Sequence, residues 1–168
     1  MSYRTIISLT LALLVLWVPP TAIAQDNFHV GELSNLDRQY MEQQRVILRD
    51  LAAGDLGRQF NGDQNNDLAL LQALLDKRLV KPEQTRELQA MGVIMGDLLA
   101  ADLGMHWVIY EDRLGRSRAL RYQQSDDFLF PITMISRRRE AGNQTPVVDI
   151  YQKARGIIAS RKPPLPFQ

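Results

Sequence analysis

The chain has 168 residues, 23% of them charged, and contains no cysteine. The lack of cysteine excludes a disulfide framework, thiol catalysis and a lipid anchor attached through a thiol. The formal net charge of +1 argues against general attraction to nucleic acid or to anionic membranes. The charge is divided unevenly, however, because residues 25–105 carry 8 basic and 13 acidic side chains and residues 106–168 carry 11 and 6. We interpret this division as attraction between the two halves of one folded domain.

The first 24 residues have the pattern of a secretory signal. Arg4 provides a positive start, and residues 6–18 form an apolar run that is short for a membrane span. Two prolines then precede the small-residue sequence that ends at Ala24. The pattern predicts cleavage between Ala24 and Gln25, periplasmic or secreted localisation, and no stable membrane anchor after cleavage. The alternative is that the segment is retained as an anchor.

Residues 25–33 are polar, and we expect them to form a loose lead-in to the first helix. That helix is predicted to begin near Ser34, because Ser34 and Asp37 have the spacing of a capping box. Its apolar residues recur at helical spacing until Gly57. After a polar loop, a second helix with a leucine-rich face is predicted to begin near Asp67.

The third predicted helix contains the most apolar stretch of the chain after the signal. It begins at the Lys-Pro dipeptide of residues 81–82, since proline suits the first position of a helix, and it continues to residue 103. Between residues 88 and 103 the few polar side chains share no face, which predicts a helix buried on most sides. Gly92 and Gly96 predict close backbone approach to a neighbour, and Gly104 fits a left-handed helix end.

The second half of the chain changes to a strand pattern. Residues 106–111 and 118–122 predict a β-hairpin, residues 128–136 a third strand, and Thr145-Pro146 the start of a last helix. The predicted fold class is α+β, with three N-terminal helices, a three-stranded antiparallel sheet and a C-terminal helix packed on it. We expect a single domain over 34–160, followed by a proline-rich tail at 161–168.

Several short motifs in this order resemble an exported Gram-negative bacterial family known only as a domain of unknown function, number 3806. The resemblance covers roughly residues 36–160, and it implies a compact α+β domain and export. It implies no activity and supplies no catalytic residues. The matching pieces are Leu36-Asp37, Asp67-Leu68, Leu71-Gln72, Leu75-Asp76, Gly92, Gly96, Leu103-Gly104 with Trp107, and Pro131 with Met134-Ile135-Ser136-Arg137-Arg138.

Metal chemistry has little support in the sequence. Asp63, Asn65 and Asp67 have the spacing of the first calcium ligands of an EF-hand, but the glycine and the bidentate glutamate that should follow are both leucines. We therefore expect these acids to cap a helix. His29 and His106 are the only histidines, too few for a structural zinc site in a chain without cysteine. We predict no metal site and no cofactor.

An acid pair offers one functional alternative. Asp97 lies within the buried helix, and Glu111 ends the first strand of the hairpin. A buried acid must be paired or have a raised pKa, and a raised pKa serves acid catalysis. Asp97 and Glu111 are therefore the candidate catalytic residues of a small hydrolase with a buried carboxylate site. The competing interpretation is that Asp97 forms a structural ion pair with an arginine such as Arg138.

Arginines provide the preferred alternative. They form one group around the hairpin and another at residues 137–139. If these groups adjoin in the sheet, they form a basic surface that binds by charge and by forked hydrogen bonds. We name Arg113, Arg116, Arg118 and Arg138 as candidate binding residues. The sequence thus favours an exported, non-enzymatic interaction or accessory module with an unidentified protein or anionic partner, and it argues against nucleic acid.

Overall fold

The computed structural model describes residues 28–161, which form five helices and a four-stranded antiparallel sheet. The α+β class is therefore confirmed, but the predicted three-stranded sheet is wrong. No helix within the described range is long and apolar enough to cross a membrane. The predicted signal, residues 1–24, and nearly all of the predicted tail lie outside the described residues. The elements, in chain order, are β1 (His29–Gly31), α1 (Asn35–Leu56), α2 (Gln64–Asp76), α3 (Thr85–Leu103), β2 (Met105–Asp112), β3 (Gly115–Tyr122), β4 (Phe128–Leu129), α4 (Ile132–Glu140) and α5 (Val147–Ala159).

Helix α3 is the centre of the structure, as its composition predicted. Eleven of its residues are buried, and it contacts α1, α2, α4 and α5 as well as the sheet. It ends at Gly104, whose φ of 68° is left-handed as predicted. It begins at Thr85 and not at Lys81, because residues 81–84 close a turn in which the Gln84 side chain accepts a hydrogen bond from the Lys81 N–H.

The two glycines of α3 allow close packing. A Cβ on Gly92 would lie 2.5 Å from the carbonyl oxygen of Ile132 in α4. A Cβ on Gly96 would overlap the indole ring of Trp107 and approach the Pro131 side chain. Any larger residue would therefore push α4 and Trp107 away from α3, which explains why helix-weakening glycines occupy both positions.

The predicted third strand, residues 128–136, is wrong for most of its length. Only Phe128 and Leu129 pair with β3, and the chain then enters helix α4. Pro131 has no N–H for a sheet, and its φ of −63° and ψ of −33° are already helical. The apolar residues that follow therefore pack on α3 from a helix and not from a strand.

The predicted lead-in is the second correction. His29, Val30 and Gly31 pair with Glu111, Tyr110 and Ile109 as strand β1 at the edge of the sheet. Phe28 stacks on Tyr110 at 5.3 Å between ring centroids. These contacts depend on residues about 80 positions away, so a short polar segment carried no local signal of them.

Strand β3 has a partly open edge. Strand β4 pairs only with Leu120 and Arg121, so no described strand covers residues 115–119 on that side. The Tyr122 N–H donates to Asp127 on the β4 side. The backbone N–H and C=O groups of successive strand residues point alternately to the two sides of the strand. Arg116 and Arg118 are an even number of residues from Tyr122, so their backbone groups point to the same side as its N–H, which is the open edge.

Candidate binding face

Asp37 links the first helix to the arginine-rich hairpin. It is the third residue of α1, and with Ser34 it forms the predicted capping box. Its carboxylate accepts hydrogen bonds from the Ser34 N–H at 3.0 Å and from the Ser34 hydroxyl at 2.6 Å. These bonds fix the carboxylate under the sheet, where the side chain is only 2% exposed.

Arg116 and Arg118 close on this buried carboxylate. They are two residues apart on β3, so both side chains project from the same face of the sheet toward α1. Arg116 donates from both terminal nitrogens, at 3.0 and 2.6 Å, and Arg118 contacts the Oδ1 atom at 2.8 Å. The Arg116 hydrogen bonds, more than the opposing effect of burial, hold the pKa of Asp37 well below its usual range. The same pairing raises the pKa of Arg116.

A cavity of about 560 Å³ lies beside this cluster, along the open edge of β3. The cluster, the cavity and the residues that line it are called the arginine face below. Arg116 and Arg118 line it from the sheet, and Arg137 lines it from α4. The structure thus brings together members of both arginine groups, as the basic-surface hypothesis required. Aromatic side chains complete the wall, namely Tyr40, Tyr110 and Phe130.

The four candidate binding residues are distributed unequally around this face. Arg116 and Arg118 line the cavity, but part of their charge is already matched by Asp37. Arg113 lies in the exposed turn of the hairpin. Arg138 does not line the cavity, and its guanidinium donates to the Met134 carbonyl at 2.5 Å.

Arg137 is the binding candidate that the sequence analysis did not select. It is exposed in the last turn of α4, and its guanidinium forms no ion pair or hydrogen bond with any other described residue. If the predicted strand had continued through these residues, the side chains of Arg137 and Arg138 would have pointed to opposite faces of the sheet. In the actual helix, Arg137 follows Thr133 by one turn, and both residues line the cavity. The helical spacing of residues 132–139 was the signal that would have identified it.

The two candidate acids have different surroundings. Asp97 accepts two hydrogen bonds from Arg45, at 2.7 and 2.9 Å, and one from the indole N–H of Trp107 at 3.0 Å. An arginine pair is therefore present, but its partner is Arg45 and not Arg138. Glu111 is exposed four residues beyond Trp107, a distance of roughly 13 Å along a strand. Asp97 is thus held by Arg45 and Trp107, whereas Glu111 lies at the exposed end of β2.

The remaining candidates have structural contacts. Asp63 caps α2 by accepting from the Asn66 N–H at 2.8 Å, and Asp67 accepts from the backbone of Asn61 and Gly62. The expectation that these acids cap a helix is confirmed for Asp63, whereas Asp67 lies inside α2, which begins at Gln64 and not near Asp67, and holds the preceding loop. His29 pairs with Glu111 in the sheet and His106 with Arg121. Among residues 28–161 no group of three or more histidine, aspartate or glutamate side chains is arranged to hold a metal ion.

Comparison with solved structures gives a fold relationship. A crystal structure from Bacteroides thetaiotaomicron VPI-5482 superposes with a TM-score of 0.68 at 20% sequence identity. The superposition covers 76% of the present chain and 47% of that chain, so this chain spans about half the length of that structure. At this identity the similarity shows the fold alone. No curated protein matches the sequence.

Comparison with protein families confirms the domain-of-unknown-function family that the motifs resembled. A family match covers residues 67–151, from the start of α2 through α3, the hairpin and α4 into α5. The cavity-lining hairpin and Arg137 lie within it, whereas Asp37 lies before it. Because the match spans half of the 168 residues, the chain belongs to the family described as Domain of unknown function (DUF3806).

Proposed function

We propose that the protein is an exported, non-enzymatic interaction module that binds an acidic segment of a partner protein at the arginine face. The observation that carries this proposal is the meeting of Arg116, Arg118 and Arg137 around one cavity. The lining itself carries three guanidinium groups and one carboxylate, Asp112, whereas Asp37 beneath it and Glu111 opposite Arg116 on β2 offset charge on Arg116 and Arg118. Arg137 is thus the cation of the face that an acidic partner would neutralise.

The open edge of β3 supports an extended partner. Backbone groups of Arg116 and Arg118 point toward the cavity, and an added strand would satisfy them with main-chain hydrogen bonds. Phe130, which is 38% exposed, offers an apolar contact on the opposite wall. An extended segment in which acidic residues alternate with apolar residues would match both features, because alternate side chains point to opposite sides.

Arg137 is the residue on which partner recognition can be tested with least risk to folding. It is exposed and lacks a partner among the described side chains, so Arg137→Glu should leave the fold intact. Lys153→Glu, the control, makes the same charge change at an exposed position of α5, which contributes no residue to the cavity. Binding would be measured by fluorescence anisotropy with a labelled peptide that alternates aspartate and valine.

We expect Arg137→Glu to weaken peptide binding at least about tenfold, and Lys153→Glu to leave it near the wild-type value. Added salt should weaken the wild-type complex, because the charges on this rim are exposed to solvent. Equal affinity for wild type and Arg137→Glu would refute the arginine face. A scrambled peptide with unchanged composition would separate strand addition from simple charge attraction.

Export is proposed from the sequence of residues 1–24 alone, and it needs its own experiment. Cells that express the chain with a C-terminal tag would be fractionated, and the tagged protein would be sequenced from its N-terminus. We expect a periplasmic or secreted product that begins at Gln25. An uncleaved chain in the membrane fraction would favour the retained anchor, and an uncleaved cytosolic chain would contradict export.

A further inference from the structure

A second cationic site lies on the other side of α4, around Arg139. This residue is only 4% exposed and lines a cavity of about 510 Å³ between the end of α2 and the loop after α4. One of its terminal nitrogens donates to the side-chain oxygen of Gln144, and the other donates to the Thr145 carbonyl at 3.0 Å. Its Nε is buried without a hydrogen-bond partner in the described part of the chain.

Arg139 differs from the other inward-facing arginines in having only neutral partners. Arg45 is paired with Asp97, and Arg118 is paired with Asp37. No described carboxylate forms an ion pair with Arg139, although buried charges are normally paired. Burial lowers the pKa of Arg139, an effect that the more distant charge of Asp76 opposes. An arginine nevertheless remains protonated in proteins, so this cavity contains a positive charge that no described carboxylate contacts directly.

Arg78 brings a second guanidinium group to the same cavity. It follows α2 with a φ of 56°, a left-handed conformation that normally favours glycine. The Leu79 N–H donates back to Leu74 across this turn. This turn closes the end of α2, where glycine would carry less strain, and the arginine that stands there instead lines the same cavity as Arg139.

The rest of the cavity wall defines the ligand. Lys81 is a third cation, whereas Glu83 is the one acid among the lining residues in the described range. Leu75 and Val80 form an apolar wall. A ligand that matches these surfaces has an anionic oxygen group at one end and an apolar body at the other.

We propose that this cavity binds a small organic anion, with its carboxylate or phosphate group on Arg139, Arg78 and Lys81 and its apolar body against Leu75 and Val80. The exposed side chain of Gln144 occupies an acceptor position on Arg139 when the ligand is absent. An incoming anion replaces this amide and forms the forked pair that guanidinium groups favour. The site is separate from the arginine face, so either proposal can fail without the other.

The test measures binding to the purified protein by isothermal titration calorimetry at constant ionic strength. The probes are hexanoate, hexyl phosphate, inorganic phosphate and the neutral analogue hexanamide. We expect binding of hexanoate or hexyl phosphate, and whichever binds more tightly identifies the head group. Inorganic phosphate should bind more weakly because it lacks the apolar body, and hexanamide should not bind. Absence of binding by both organic anions, or equal binding of hexanamide, would overturn the proposal.

Two variants distinguish a ligand site from a structural arginine. Arg78→Gly removes a cation and also relieves the left-handed backbone, so the protein should be at least as stable while the anion binds about tenfold more weakly. Gln144→Ala removes the competing acceptor and should tighten binding. Lys77→Met, a neighbouring exposed cation that does not line the cavity, is the control and should bind as wild type does. Unchanged affinity in Arg78→Gly would refute the site.

Discussion

Replacement of Asp37 by asparagine tests the electrostatic centre of the structure. Asparagine keeps the size of the side chain but removes the charge that Arg116 and Arg118 share. Breaking a buried ion pair costs roughly 3–5 kcal/mol when the remaining charge stays buried. The Arg116 and Arg118 side chains are 44% and 25% exposed, so water can solvate both after the substitution. We therefore expect a smaller loss, about 2–3 kcal/mol, of which the weakened capping box contributes up to about 1 kcal/mol.

The loss should appear in urea unfolding followed by far-ultraviolet circular dichroism at pH 7. Glu42→Gln is the matched control, because Glu42 is on the same helix and pairs with Arg45 and Arg49, but its side chain is 53% exposed. Surface ion pairs of this kind contribute about 0–1 kcal/mol. If Asp37→Asn is as stable as Glu42→Gln, the buried cluster contributes no more to the free energy of unfolding than a surface ion pair does.

The pH dependence of the same difference provides a second test. The pKa of Asp37 is lowered in the folded protein, whereas an aspartate in an unfolded chain titrates at about 3.9. A group with a lowered folded pKa stabilises the protein above its unfolded pKa, and this stabilisation is lost as the pH falls toward the folded pKa. The stability difference between wild type and Asp37→Asn should therefore be full at neutral pH and should narrow below about pH 4. A constant difference down to the acid transition would refute the assigned charge pairing.

Two further substitutions test the packing around α3. Gly96→Ala would place a methyl group against the Trp107 ring, and we expect a loss of about 1–3 kcal/mol in urea unfolding. Gly54→Ala is the control, because nothing lies near the carbon that it adds to α1, and it should stabilise the protein by up to about 1 kcal/mol. A similar effect of Gly96→Ala and Gly54→Ala on stability would contradict the close contact between Gly96 and Trp107. Asp97→Asn should lower the free energy of unfolding by about 1.5–3 kcal/mol in the same assay, because it removes the charge that Arg45 binds. An unchanged unfolding midpoint would contradict this structural role and would favour a chemical role for Asp97.

The sequence was informative where local chemistry determines local structure. The capping box at Ser34 and the left-handed stop at Gly104 depend on a few adjacent residues, and both were predicted correctly. The hairpin turn between β2 and β3 also follows from its own residues. Each of these features is stabilised within one or two turns of chain, so its signal is contained in the sequence beside it.

Features that depend on distant partners were missed. Strand β1 is short and polar, and it is a strand only because β2 pairs with it. The apolar residues after Phe128 fit a buried strand and a short buried helix equally well, and packing on Gly92 decides between them. For the candidate site, the arginines were found by composition, but their partner Asp37 lies 79 residues before Arg116. Spacing in the sequence contains no signal for such a pair.

The close contact between α3 and α4 connects the two proposed sites. Arg137 and Arg139 are two positions apart, which is about 200° around a helix, so they project to opposite sides of α4. One lines the cavity beside β3, and the other lines the cavity beside α2. Gly92 fixes where α4 begins against α3, and therefore fixes the position of both guanidinium groups. A side chain at position 92 should thus disturb both sites together, whereas Arg137→Glu and Arg78→Gly should each affect only one.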